Sequence, residues 1–232
     1  MPEERSEAAG RALVTGCSSG IGLAVVTALL GQGWHVTGIS RREPPIRAPG
    51  YRHIPADLSD SAAADSAFEA AGPVDAAVHA AGVLRVGDHQ GMDMQDGALM
   101  WRLHVDVAAR MIQTLAPRMA DGGRFVLIGS RIAKGAPGRS LYAASKAALN
   151  GLARSCAAEL APRGITVNIV APGATDTPML RDPARADVAP KLPPLGRFVQ
   201  PGEVAAMVAY LLSPPAASIT GQEIVICGGA SL

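Results

Sequence analysis

The chain has 232 residues and a formal net charge of +1; apolar residues make up 48% of it and aromatics only 3%. That length suits one large α/β domain, and near-neutral charge without a basic run argues against a nucleic-acid surface and for a small-molecule partner. The apolar run 21–30 is about half the length of a bilayer crossing and the polar start resembles no signal peptide, so a soluble, cytoplasmic chain is expected.

Residues 1–9 read as a polar tail. Arg11–Thr15 is a short apolar strand that runs into Gly16-Cys-Ser18-Ser19-Gly20-Ile21-Gly22, and a helix follows from about Ile21 to Leu30. Strand, glycine turn and helix in this order suit a phosphate: glycines let the backbone come close, and the amides at the helix N-terminus meet the negative charge. Glycines also serve as plain turn residues, so the turn alone does not decide the matter.

The next strand, Trp34–Ser40, ends where a dinucleotide fold reads the ribose of its cofactor. An acidic residue there selects the 2′-hydroxyl of NAD; this chain has Ser40, Arg41 and Arg42, and a guanidinium suits the 2′-phosphate of NADP. NADP is favoured, NAD remains open, and two arginines at a strand end are equally the pattern of a solvated pair. Tyr51–Pro55 is a third strand. It exits through Asp57-Leu58 into a helix capped by Ser59 or Asp60 that runs to about Ala71.

A fourth strand, Val74–His79, ends in Ala80-Ala81-Gly82, small residues at a carboxyl end where a ligand could approach. After a Gly/Asp/Met-rich connection over 84–97 a long helix is predicted from Ala98 to Met119. The fifth strand, Gly123–Gly129, delivers Ser130, and a helix from about Leu141 to Arg163 begins with Tyr142 and Lys146. These two stand four apart, so their side chains leave one helix face a turn from each other. A lysine ammonium beside a phenol favours the phenolate and turns a weak acid into a usable proton donor and acceptor. The same spacing also fits a half-exposed aromatic and a solvated charge. A strand at Ile165–Ala171, a proline-rich stretch from Pro172-Gly173 to Pro201, a helix at Gly202–Leu212 and a strand at Glu223–Cys227 complete the chain. Apolar strands alternating with helices imply a parallel sheet covered on both faces. The cysteines, Cys17, Cys156 and Cys227, are odd in number and far apart, hence free thiols, and no metal-ligand spacing is present.

Taken together, Thr15-Gly-xxx-Gly-Ile-Gly22, Asp57-Leu58, Ala81-Gly82, Ser130, Tyr142-xxx-Lys146 and Pro172-Gly173…Thr177 resemble the short-chain dehydrogenase/reductase family over essentially the whole chain. The resemblance implies a single Rossmann-type domain, a doubly wound sheet of about seven parallel strands, and hydride transfer between a nicotinamide and a carbonyl or alcohol carbon. It makes Tyr142 the general acid of reduction. Lys146 would tune it and bind the nicotinamide ribose, and Ser130 would hold the substrate oxygen. The cofactor would lie along Gly16, Ser18, Ser19, Gly20, Ile21, Gly22, Ser40, Arg41, Asp57, Leu58, Ala80, Ala81, Gly82, Tyr142, Lys146, Pro172, Gly173, Thr175 and Thr177. Asp57 would meet the adenine, unless it only caps its helix, and Thr177 the nicotinamide, unless it only orders a turn.

Three departures from the family pattern carry expectations of their own. Asp106 is aligned with the Asn that completes the family's proton relay, and its carboxylate cannot donate an amide hydrogen. His79-Ala-Ala-Gly82 replaces Asn-Asn-Ala-Gly, so a brace between strands is expected to be missing. The loop between Ser130 and Tyr142 is one residue short and carries Arg131, Lys134 and Arg139, which points to an anionic or strongly polar substrate. The family is mostly oligomeric, and Ala143, Ala147, Ala148, Gly151 and Ala158 would keep the Tyr/Lys helix slim for a homo-oligomer. An NADPH-dependent carbonyl reductase is the leading expectation. The alternatives are an NAD-dependent dehydrogenase of a catabolic pathway and a non-catalytic cofactor-binding regulator.

Overall fold

The computed structural model describes residues 9–183, 188 and 191–232; most of the polar tail and part of the expected 175–200 substrate-covering loop lie outside the described residues. Seven parallel strands form one sheet: β1 (Arg11–Thr15), β2 (His35–Ser40), β3 (Tyr51–Pro55), β4 (Ala76–His79), β5 (Arg124–Ile128), β6 (Thr166–Pro172) and β7 (Glu223–Ile226). Their order is β3-β2-β1-β4-β5-β6-β7, so the order reverses between β1 and β4. A crevice opens there at the carboxyl ends of the strands.

Both faces of the strands are apolar, and successive side chains feed opposite layers. Leu13, Phe125, Leu127, Val167 and Ile169 point into one core. Ala12, Val14, Val126, Ile128 and Val170 point into the other, as a period of two requires. The first core is closed by α2 (Ser61–Ala71), α4 (Val107–Leu115) and α5 (Ser140–Leu160), the second by α1 (Gly20–Gly31) and α6 (Pro201–Leu212). Asp60 is the cap of α2, accepting from the amides of Ala62 and Ala63.

The predicted long helix differs in kind. It begins earlier, as α3 (Met94–Trp101) capped by Asp93, passes through a π-helical turn over Arg102–Asp106, and resumes as α4. In the π turn the Val107 amide reaches back to the Arg102 carbonyl, and the Leu103 carbonyl meets the His79 side chain. On α5, Ala147, Gly151 and Ala158 are exposed, as a slim face requires, whereas Ala143 is buried and packs inward. The three cysteines are unpaired, and no helix among the described residues is long and apolar enough to cross a membrane.

Candidate active site

A cleft of about 930 Å³ opens at the carboxyl ends of the strands. Its floor begins at the glycine turn. Gly16 has φ +69°, and a β-carbon there would stand 2.7 Å from the Ala81 amide; a β-carbon on Gly22 would stand 2.2 Å from the Gly16 carbonyl oxygen. Strand β1, the turn and the start of α1 therefore close on one another only as backbone. Ser18, Ser19, Gly20 and Ile21 line the same wall, and α1 carries no acidic residue in its first turn, which leaves its amide-rich end suited to an anion.

At the end of β2, Arg41 and Arg42 are exposed and line the cleft; neither forms an ion pair among the described residues. Ser40 borders the cleft too but turns inward. It is buried, its hydroxyl donates to the Arg42 carbonyl at 2.7 Å, and it also lies 3.1 Å from His53 Nε2 and 3.1 Å from Cys17 Sγ. Asp57 holds Ser59 through the amide at 2.9 Å and the hydroxyl at 2.7 Å. These bonds draw its carboxyl below the usual range. Leu58, Ala80, Ala81, Gly82, Pro172, Gly173, Thr175 and Thr177 complete the lining along the strand ends.

Ser130, Tyr142 and Lys146 line the same cleft. Ser130 caps a short 3-10 turn, Arg131–Lys134, accepting from the Ile132 amide at 3.2 Å, which leaves its own hydroxyl hydrogen to donate. Tyr142 and Lys146 lie in the first two turns of α5, and both are buried. The Lys146 ammonium donates to the Ile128 carbonyl at 2.8 Å, and burial draws its pKa down to about 7.

Asp106 is the one expected site residue that does not line the cleft. His104 does, and it is fully buried. Two residues apart in this helical turn means roughly half a turn of rotation, so the two side chains leave opposite faces. The signal was in the helix phase: His104 shares a face with Met100, Ala108 and Met111, all buried, whereas alignment to a relay motif selected the polar residue two positions on. Ser145 Oγ donates to the Tyr142 carbonyl at 2.8 Å, so it accepts from His104 Nδ1–H at 2.9 Å. His104 Nε2 therefore carries the lone pair and accepts from the Val83 amide at 3.3 Å. The imidazole also meets the Tyr142 ring edge to face, centroids 5.5 Å apart at 90°. Burial first, then the charge of Lys146, holds its pKa well below the ordinary histidine range. It stays neutral.

The expected gap between strands is likewise filled by a histidine. Thr15 Oγ1 accepts from the amides of Ala80 and Ala81, each at 3.1 Å, and donates to His79 Nδ1 at 2.9 Å. His79 Nε2–H then donates to the Leu103 carbonyl of the π turn at 2.9 Å. One neutral imidazole thus ties β1, β4 and the π turn together, and burial pushes its pKa down to about 3.

Residues 16–231 match the family model described as enoyl-(acyl carrier protein) reductase. The chain is 36% identical to carbonyl reductase family member 4 of Danio rerio over 236 residues, 95% of this chain and 98% of that protein. It is 32% identical to D-threitol dehydrogenase of Mycolicibacterium smegmatis over 240 residues, 95% of this chain and 92% of that protein. The chain belongs to the short-chain dehydrogenase/reductase family. A solved short-chain dehydrogenase from Burkholderia cenocepacia, in complex with NADP, superposes with a TM-score of 0.86 at 36% identity, covering 96% of this chain and 98% of that one. As a short-chain dehydrogenase/reductase the protein is an oxidoreductase, and its sheet order and crevice are those of a Rossmann-type fold.

Proposed function

We propose that this short-chain dehydrogenase/reductase is an NADPH-dependent carbonyl reductase. The observation that carries the reading is that Ser130, Tyr142 and Lys146 line the same cleft as the glycine turn and Arg41/Arg42. The backbone cradle at Gly16 and Gly22, which a single β-carbon would fill, fits a pyrophosphate. Two arginines that form no ion pair among the described residues fit a 2′-phosphate. A relative solved with NADP supports the same choice, and the inward-turned Ser40 hydroxyl leaves discrimination to the arginines.

A nicotinamide cofactor held along this cleft would supply the hydride. Ser130 donates its hydroxyl hydrogen to the carbonyl oxygen and fixes its place. Tyr142 gives that oxygen its phenolic proton as charge develops there. Lys146, one turn away, stabilises the phenolate left behind, and its buried amine gains a reason to stay protonated when the anionic cofactor is near. His104 and Ser145 hold the Tyr142 turn of α5 against Val83. A homo-oligomer joined through the slim face of α5 is part of this reading, as is a small polar substrate.

Tryptophan fluorescence titrated with NADPH and NADH, followed by a carbonyl and alcohol panel with both cofactors, tests the proposal. Tighter NADPH binding and carbonyl reduction that disappears in Tyr142→Phe are expected. A clear NADH preference with alcohol oxidation would instead favour the catabolic dehydrogenase, and cofactor binding without hydride transfer would favour a non-catalytic regulator.

A further inference from the structure

The cleft has a marked asymmetry of charge. Among its described lining residues the only acidic side chain is Asp57, on the Arg41 side. Apart from Arg41 and Arg42, the described lining also carries Arg85, Arg131, Arg139 and Lys191 and no further acidic side chain. The chain as a whole has a net charge of only +1, so the cleft lining departs from the average of the molecule.

These cations are not equivalent. Arg85 pairs with Asp96 at 3.4 Å, the Arg139 guanidinium donates to the Val188 carbonyl at 2.8 Å, and Lys191 is exposed. Lys134, which the sequence groups with them, is exposed and does not line the cleft. Arg131 is set apart by forming neither an ion pair nor a side-chain hydrogen bond among the described residues, and its Nε is buried. A guanidinium is always charged, and a desolvated donor on it is costly until an acceptor meets it. Arg131 follows Ser130 directly, in the 3-10 turn that the Ser130 side chain caps, so the two groups are carried by one short, tied segment. Beside them Leu84, Ile132 and Tyr142 pack as an apolar cluster.

We infer that the substrate of this cleft carries a carboxylate as well as its carbonyl, with Arg131 binding the carboxylate while Ser130 and Tyr142 meet the carbonyl oxygen. The inference rests on the reductase reading above and names its substrate class: an oxo acid. One guanidinium beside an apolar wall answers a monoanion, whereas a phosphate dianion calls for several converging donors.

The test uses straight-chain oxo acids of increasing length, each paired with its methyl ester, in NADPH-dependent reduction. For the chain length that fits, wild type should prefer acid over ester by about 10- to 100-fold in kcat/KM, the weight of a charge-assisted hydrogen bond. Arg131→Met should bring that ratio near one, Arg131→Lys should retain part of it, and Lys134→Met, with the same loss of charge outside the cleft, should keep it. No acid preference in wild type, or a preference that survives Arg131→Met, overturns the inference while continued ester reduction leaves the reductase reading intact. Reduction of no member at all sinks that reading. Calorimetric titration of the oxo acids into NADP-loaded wild type and Arg131→Met then decides the anion site alone: binding heat lost with Arg131 supports it, and no binding to wild type overturns it.

Discussion

Replacing His104 with alanine removes the group that joins the wall carrying Tyr142 to the strand-end loop at Val83. The imidazole is fully buried, donates to Ser145 at 2.9 Å, accepts from Val83 at 3.3 Å and packs edge to face on Tyr142. Emptying a buried site of this size costs about 2–4 kcal/mol, and each lost hydrogen bond about 1 kcal/mol. The aromatic contact adds about 0.5–1.5 kcal/mol. Water reaching Val83 from the cleft recovers part of this, so His104→Ala should lose about 3–5 kcal/mol, out of a typical total of about 5–15 kcal/mol. Ser145 keeps its bond to the Tyr142 carbonyl, so α5 still forms but its first turn is less well held. A shift of about 1 Å at a reacting group is enough to cost about 100-fold, and a fall in kcat of about 10- to 100-fold at saturating cofactor is expected. His104→Asn, which keeps one donor and one acceptor, should lose less on both measures. Urea unfolding and steady-state kinetics give the two readouts. Stability within about 1 kcal/mol of wild type together with an unchanged kcat would refute the role given to this residue.

Three further outcomes follow from the same geometry. His79 and His104 are held neutral in the fold, with His79 drawn down to about 3 and His104 well below the ordinary value. The unfolded chain takes up protons below about pH 6.5 that the folded chain refuses, so stability present above that pH is lost as pH falls towards 3. For His79 the loss reaches about 2–3 kcal/mol at about pH 4.5; urea midpoints across this window should fall less steeply in His79→Asn, and an equal slope would contradict the neutral brace. Gly22→Ala places a β-carbon 2.2 Å from the Gly16 carbonyl oxygen, and the turn must open to admit it; NADPH affinity, read by tryptophan fluorescence, should drop at least about 10-fold. Arg41→Asp puts a carboxylate where a 2′-phosphate is expected, and the NADPH-to-NADH ratio of Kd should move towards NADH by about 10- to 100-fold; an unmoved ratio would assign the discrimination elsewhere.

Most of the architecture is a matter of short-range physics, and there the sequence sufficed. Apolar runs at Ala12–Val14, Phe125–Ile128 and Ile169–Ala171, alternating with helical stretches, suit strands covered on both faces, and a glycine turn between strand and helix leaves the backbone little choice. The four-residue spacing of Tyr142 and Lys146 fixes a shared face once α5 forms. What the sequence could not settle was which face of each element meets which neighbour. Ser40 stands at the expected strand end yet turns its hydroxyl to Arg42, His53 and Cys17, because the chain just beyond it, the partner strand and the glycine turn offer hydrogen-bond partners there. Arg131 borders the cleft and Lys134 does not, three residues apart on one tight turn. His79 and His104 are the clearest case. Each ring has two nitrogens, and what they bind is decided by Thr15, Leu103, Ser145 and Val83, 21 to 64 residues away. The local chain determines that a histidine is present; only long-range contacts determine its tautomer, its charge and whether it faces the cleft. That is why Asp106, a plausible polar residue two positions along, gave way to His104 when the helix was packed against the sheet.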